Sequence, residues 1–328
     1  MLKILYAAAN NENAKIQLAR FMKAMEGKPY SIKVAAYKLS SPQNTSIDWT
    51  LDCLQNIFKP EHVTLDNDNF ITYYNQVKYY NPDLIISDME YYTSEIATSL
   101  GTAIIQCSSS LINFAFTNEY KYDLGVFKTH AILFNKNPLH TQRMVNILDN
   151  SNCNYIYSHF GDCEAPPNIK PGYSWVRPYH SVGKVAVPCQ HNVVAGTLGS
   201  NKQLITLLRP YADSICFTDF LGETFANPII KDIGNVEEYF CNLKNCNLFA
   251  CAGQTSFLAD AFYNGKYSAV FTNLEDPECV VNSTISKKLN LSSSIYNVSE
   301  DLLPLMNNQV KSITNDKIKF LHEIIEEL

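Results

Sequence analysis

The chain has 328 residues, 46% of them hydrophobic and 18% charged, with 12 glycines, 14 prolines and a formal net charge of −6. That length is about twice a usual single domain, so two domains sharing a cleft are expected, and the composition leaves no room for a long disordered stretch. The acidic balance argues against nucleic acid as a partner, because a broad basic face is what neutralises phosphates.

Residues 2–8 read as a first strand, since a short apolar run soon meets polar residues, unlike a signal peptide. A helix over 14–25 follows, with Ile16, Leu18, Ala19, Met22 and Met25 at helical spacing, and then a strand over 32–37. Residues 70–80 (helix), 83–88 (buried strand), 93–100 (helix) and 103–107 (strand) continue the alternation. Residues 161–188 hold five of the fourteen prolines and no helical period, which marks the linker. Beyond it come strands over 191–196, 214–218, 247–252 and 268–272, and helices over 201–211, 236–243 and 255–263. An amphipathic helix over 316–328 closes the chain. Such alternation is the signature of an α/β fold with mainly parallel sheets, in two halves meeting at a ligand cleft. The expected domains are 1–183 and 184–328, with the last helix, from about 308, packing back on the first domain.

No apolar run reaches 18 residues, so no transmembrane helix is expected. Ten cysteines fall at irregular spacings without CxxC pairs or a His/Cys zinc pattern, so no metal site is expected. Free thiols among apolar neighbours favour a reducing, cytoplasmic compartment. Aromatic residues over 113–128, interleaved with Lys121 and Lys128, fit either the core or a peripheral contact with the inner face of a membrane.

In parallel sheets ligands bind beyond the carboxyl ends of the strands, so the chemistry is sought there. After the first strand, Asn10, Asn11 and Glu12 open a helix; the asparagines suit a sugar or anion, and equally a helix cap. The loop lacks GxGxxG, which disfavours a dinucleotide enzyme. Asp88 and Glu90 follow the strongest strand of the first half, where a carboxylate serves as general base or caps the next helix. Gly196 and Gly199 permit a tight turn before Ser200. Gly253 ends a strand, and Gln254, Thr255 and Ser256 start a helix whose positive end suits a diphosphate. Glu275, Asp276, Glu278 and Asn282 follow the next strand, where a carboxylate can hold a ribose diol.

These residues resemble the GT-B glycosyltransferases, in the branch related to the UDP-N-acetylglucosamine transferase of peptidoglycan lipid II synthesis. AGQTSFLADAFYNGKYSAVFT, from Ala252, is similar to that branch's SGGHTTVSEAIALGKPVLVIP without a gap. ECVVNS, from Glu278, is similar to its E-Q-x-x-N-A, and PDLIISDME, from Pro82, to its PDLVISDFE. The sequence departs from the pattern at residues 9–13, where a glycine-rich loop with His is usual, at Gln254 and Thr255, and at Cys279. The resemblance implies a GT-B fold and a metal-independent hexosyltransferase of glycan or glycolipid synthesis. The same resemblance implies a UDP-linked sugar as co-substrate, no cofactor, and a carbohydrate or lipid-linked acceptor. Asp88 is the first candidate base, followed by Glu90 and Glu12. A sugar-nucleotide epimerase and a catalytically silent nucleotide-sugar binder share the same implied pocket.

Overall fold

The computed structural model describes residues 1–8, 12–37, 62–65, 70–88, 90–115, 138–149, 151, 153–158, 169–179, 191–198, 201–218, 228–234, 236–272, 276–308, 310 and 318–328. Strands β1 (Leu2–Ala8), β2 (Tyr30–Tyr37), β3 (His62–Leu65), β4 (Leu84–Asp88), β5 (Ala103–Ser108), β6 (Asn154–Tyr157) and β7 (Tyr173–Val176) form a sheet in the order β3-β2-β1-β4-β5-β6-β7. Its helices are α1 (Glu12–Ala24), α2 (Phe70–Tyr80), α3 (Tyr91–Leu100) and α4 (Pro138–Asp149). Strands β8 (Val193–Thr197), β9 (Ser214–Thr218), β10 (Ile229–Asp232), β11 (Leu248–Cys251), β12 (Ser268–Phe271) and β13 (Ser292–Ile295) form the second, in the order β10-β9-β8-β11-β12-β13. Helices α5 (Lys202–Leu208), α6 (Val236–Asn245), α7 (Thr255–Tyr263) and α8 (Pro277–Lys288) accompany it. The described strand pairs are parallel in both sheets.

Both strand orders reverse at the first strand of the domain, between β1 and β4 and between β8 and β11. That is where a doubly wound sheet opens a crevice at its carboxyl edge. Helices cover both faces, which is why the inner strands read as unbroken apolar runs: all five residues of β4 are buried. Ile4, Tyr6, Leu84 and Ile86 pack toward α1, while Leu5, Ala7 and Ile85 pack toward α2 and α3. Helix ends follow local chemistry. Glu90 caps α3, which Gly101 closes at φ 66°. Asn201 caps α5, and Asp276 with Pro277 starts α8.

Gly196 sits in β8 because a side chain there has no room. A Cβ would lie 2.6 Å from Cδ1 of the Phe257 ring on α7. Gly196→Ala is therefore expected to cost about 1 to 3 kcal/mol by overpacking, read as a lower midpoint in thermal unfolding. An unchanged midpoint would show that Phe257 turns aside freely.

Three expectations need correction. Residues 161–188 are not all linker, because β7 lies within them and ends the first sheet. It is short and flanked by Pro171 and Pro178, so its period was hidden. Residues 62–65 and 138–157, for which no element is predicted, supply β3, α4 and β6. The closing helix is also shorter than expected: among the described residues only α9 (Leu321–Ile325) is helical. It does cross back, burying Leu321 and Ile325 in the first domain's core, with Phe320 stacked on Tyr179 at 5.3 Å and paired in a bridge to Arg177. Most of the aromatic segment 113–128 lies outside the described residues. Among the described residues, no helix is long and apolar enough to cross a membrane.

Candidate functional site

The two domains meet along α1 and α7. Ser256, Asp260 and Tyr263 recur on α7 at helical spacing and face the first domain. Gln17, 1% exposed, donates from Nε2 to Ser256 Oγ at 2.9 Å and to the Tyr179 carbonyl at 3.2 Å, and its Oε1 accepts the Tyr179 N–H at 3.0 Å. One turn on, Arg20 Nη2 pairs with Asp260 Oδ2 at 2.9 Å, and Nη1 reaches the Tyr179 carbonyl at 2.8 Å. Tyr239 donates a further bond to Asp260 Oδ2 at 3.0 Å. The Arg177 guanidinium lies over the rings of Tyr263 and Phe320, at 4.9 and 4.6 Å. Ser256, expected at a diphosphate, is thus engaged with Gln17 in the domain contact.

Asp88 ends β4 on the face that carries Tyr6 and Cys107, at the carboxyl edge of the sheet. It is 2% exposed, and its Oδ1 has no hydrogen-bond partner among the described residues. Burial pushes its carboxyl up to about 7, against the opposing pull of the Ser108 hydroxyl. Across the cleft lies Glu278 of α8, near enough for the Asp88 charge to bear on it. Glu278 Oε1 accepts the backbone N–H of Thr255 at 3.1 Å, and its Oε2 accepts from Ser110 Oγ of the first domain at 3.4 Å. Burial, and then the Asp276 charge, raises Glu278 to about 7.

The Gly253 turn is held from α8. Asn282 Nδ2 donates to the Gly253 carbonyl at 3.1 Å and to Thr255 Oγ1 at 2.9 Å. Gly253 has φ 97°, and a Cβ there would lie 3.1 Å from the Cys279 carbonyl, so both backbone conformation and space require glycine. Gln254, at the cap position of α7, makes no capping bond, and its buried Oε1 has no partner among the described residues.

Several of the expected site residues make local structural contacts. Glu90 is 1% exposed and gives its two carboxylate oxygens to the N–H groups of Tyr92 and Thr93 at 3.2 and 2.6 Å, so it holds a helix end rather than facing an acceptor. Glu278 accepts the first N–H of α7. Asp276 caps α8, accepting from the N–H groups of Glu278 and Cys279. Asn282 braces the turn, and Gly196 makes room for Phe257. Glu12 opens α1, but its side chain lies outside the described residues, as do Asn10, Asn11, Gly199, Ser200 and Glu275. The structure brings Asp88, Glu278 and the Gly253–Thr255 turn together at the cleft. Sequence reasoning missed Gln17, Arg20, Ser108 and Ser110. The first two read as the polar side of an amphipathic helix, with no local sign of a partner.

No family model and no curated protein matches the chain. Solved structures do. The glycotransferase of kitacinnamycin has a TM-score of 0.58 at 11% identity, over 93% of this chain and 91% of that one. A UDP-glucosyltransferase from Polygonum tinctorium capable of glucosylating indoxyl has a TM-score of 0.60 at 10% identity, over 99% of this chain and 88% of that one. The spinosyn rhamnosyltransferase complexed with thymidine diphosphate has a TM-score of 0.58 at 9% identity, over 90% and 86%. None of these ties the chain to the lipid II branch. Two parallel sheets facing a cleft, a tail that crosses back, and a likeness that spans both domains give this chain the GT-B fold.

Proposed function

We propose that the chain is a glycosyltransferase that moves a sugar from a nucleotide-diphosphate donor to an acceptor hydroxyl, with Asp88 as the base. The observation that carries this reading is the Asp88 carboxyl itself. It stands at the cleft edge of the strands, with an oxygen that has no partner among the described residues and a proton affinity matched to neutral pH. Asp88 takes the acceptor's hydroxyl proton as that oxygen bonds to the sugar's anomeric carbon and the bond to the diphosphate breaks. The charge that builds on the departing diphosphate is met by the positive end of α7, which stabilises it without proton transfer. The structural neighbours support a nucleotide-diphosphate donor, one being a UDP-glucosyltransferase and another solved with thymidine diphosphate. The likeness of the Ala252 segment to UDP-sugar enzymes favours UDP, and a carbohydrate or lipid-linked acceptor.

A thermal-shift screen of UDP-, dTDP- and GDP-sugars tests the donor. Ligand at about 100 times Kd adds about 2.7 kcal/mol of stability, a rise of several degrees in midpoint. No shift with any of the three classes would remove the donor site. Donor binding with no transfer to any acceptor and no hydrolysis would instead leave a silent binder.

A further inference from the structure

The positive end of α7 is already met by an anion of the protein's own. Glu278 sits on the neighbouring helix, yet its Oε1 accepts the Thr255 N–H at 3.1 Å, while its Oε2 reaches Ser110 of the other domain. A carboxylate on the first N–H of a nine-residue helix occupies the place and the charge that a phosphate oxygen would take there. A second observation marks the space as unfinished: the buried Asp88 Oδ1 lacks a donor among the described residues, and Asp88 acts on Glu278. A buried carboxylate with an open oxygen is satisfied when it carries a proton or when a ligand brings it a donor.

We propose that Glu278 is an internal anion seated in the donor diphosphate's place, so that donor binding takes up one proton from solvent onto the Glu278 carboxylate. This rests on the donor-site reading above. The described groups that face Glu278 act in two directions. Asp276 and Cys279 stand on its own helix, Asp88 comes from β4, the Thr255 N–H and hydroxyl from α7, and the Ser110 hydroxyl from the first domain. The carboxylates disfavour the charged form, and an incoming diphosphate adds to them. Only the hydrogen bonds oppose. With Glu278 titrating at about 7 in the free protein and above the working range in the complex, affinity falls as pH rises.

The test is calorimetric binding of UDP-glucose, with dTDP-glucose as a second probe, at pH 6, 7 and 8 in two buffers of different ionisation heat. Both probes are diphosphate diesters whose own charge is constant over that range. The wild type is expected to bind about tenfold more weakly at pH 8 than at pH 6, with uptake approaching one proton at pH 8. Glu278→Gln keeps an acceptor for Thr255 but cannot titrate; it should bind independently of pH, and about tenfold more tightly than wild type at pH 8. Glu278→Ala should show the same flat profile if the Gln variant folds poorly. Equal pH slopes in wild type and variant, or binding without proton uptake, would overturn the proposal while leaving the donor site standing. Failure of both probes to bind any of the proteins at any pH would overturn the donor site, and this proposal with it.

Discussion

Asp88→Asn should lower turnover by about 10²- to 10⁴-fold while the donor Kd stays near the wild-type value. The substitution keeps the shape of a buried side chain and removes only the ability to accept the acceptor's proton. A base must be ionised, so wild-type kcat should climb as pH rises through about 7, and the residual rate of the variant should lack that limb. Because Asp88 and Glu278 interact, the two steps belong to the pair, and kcat/KM should pass through a maximum near neutrality if Glu278 governs the falling side. Stability supplies a readout independent of the reaction. Folding raises the Asp88 carboxyl from 3.8 to about 7, so the folded state favours the protonated form. That contribution is complete below about 4 and is lost as pH rises through about 7. Asp88→Asn should therefore be at least as stable as wild type at pH 8. Wild-type turnover in the variant would remove Asp88 as the base.

Arg20→Leu is expected to destabilise the protein by about 3 kcal/mol, read from midpoint and slope in urea. Asp260 is fully buried, and Arg20→Leu takes away the guanidinium paired with its carboxylate, leaving the Tyr239 hydroxyl among its partners. The Arg20 side chain is 20% exposed, which places the effect near the low end of the range for breaking a buried pair. Adding Asp260→Asn to Arg20→Leu should recover most of the loss, because the burden is a buried charge deprived of the guanidinium rather than the missing contact. A loss below about 1 kcal/mol would show that the ion pair does not hold α1 to α7.

Much of the architecture was legible in the chain. Strand and helix periods placed β1, α1, β4, β5, β8, α7 and β12 within a few residues, because burial on both faces of a parallel sheet leaves an apolar run that needs no partner to be read. Strands β3, β7 and β10 escaped because they lie at the edges of their sheets, where a short strand is covered less fully and leaves no unbroken apolar run. The turn at Gly253 was legible because one backbone conformation demands glycine. Asp88 was legible because it follows the strongest apolar run.

The roles of the carboxylates were not. Asp88, Glu90, Asp260, Asp276 and Glu278 are equivalent in a sequence, since each is an acceptor whose use depends on what lies within about 3 Å. Glu90 and Asp276 found N–H groups two and three residues away, a pairing that capping preference anticipates. Glu278 met Thr255 across 23 residues, Gln17 met Ser256 across 239 and Arg20 met Asp260 across 240. Sequence by itself determined the alternating layers and the turn that opens α7, because local periodicity and backbone sterics fix both. Only the tertiary structure decided which acid stands buried at the cleft edge, which occupies the helix end and which binds the domains together, because those contacts join residues that nothing local brings together.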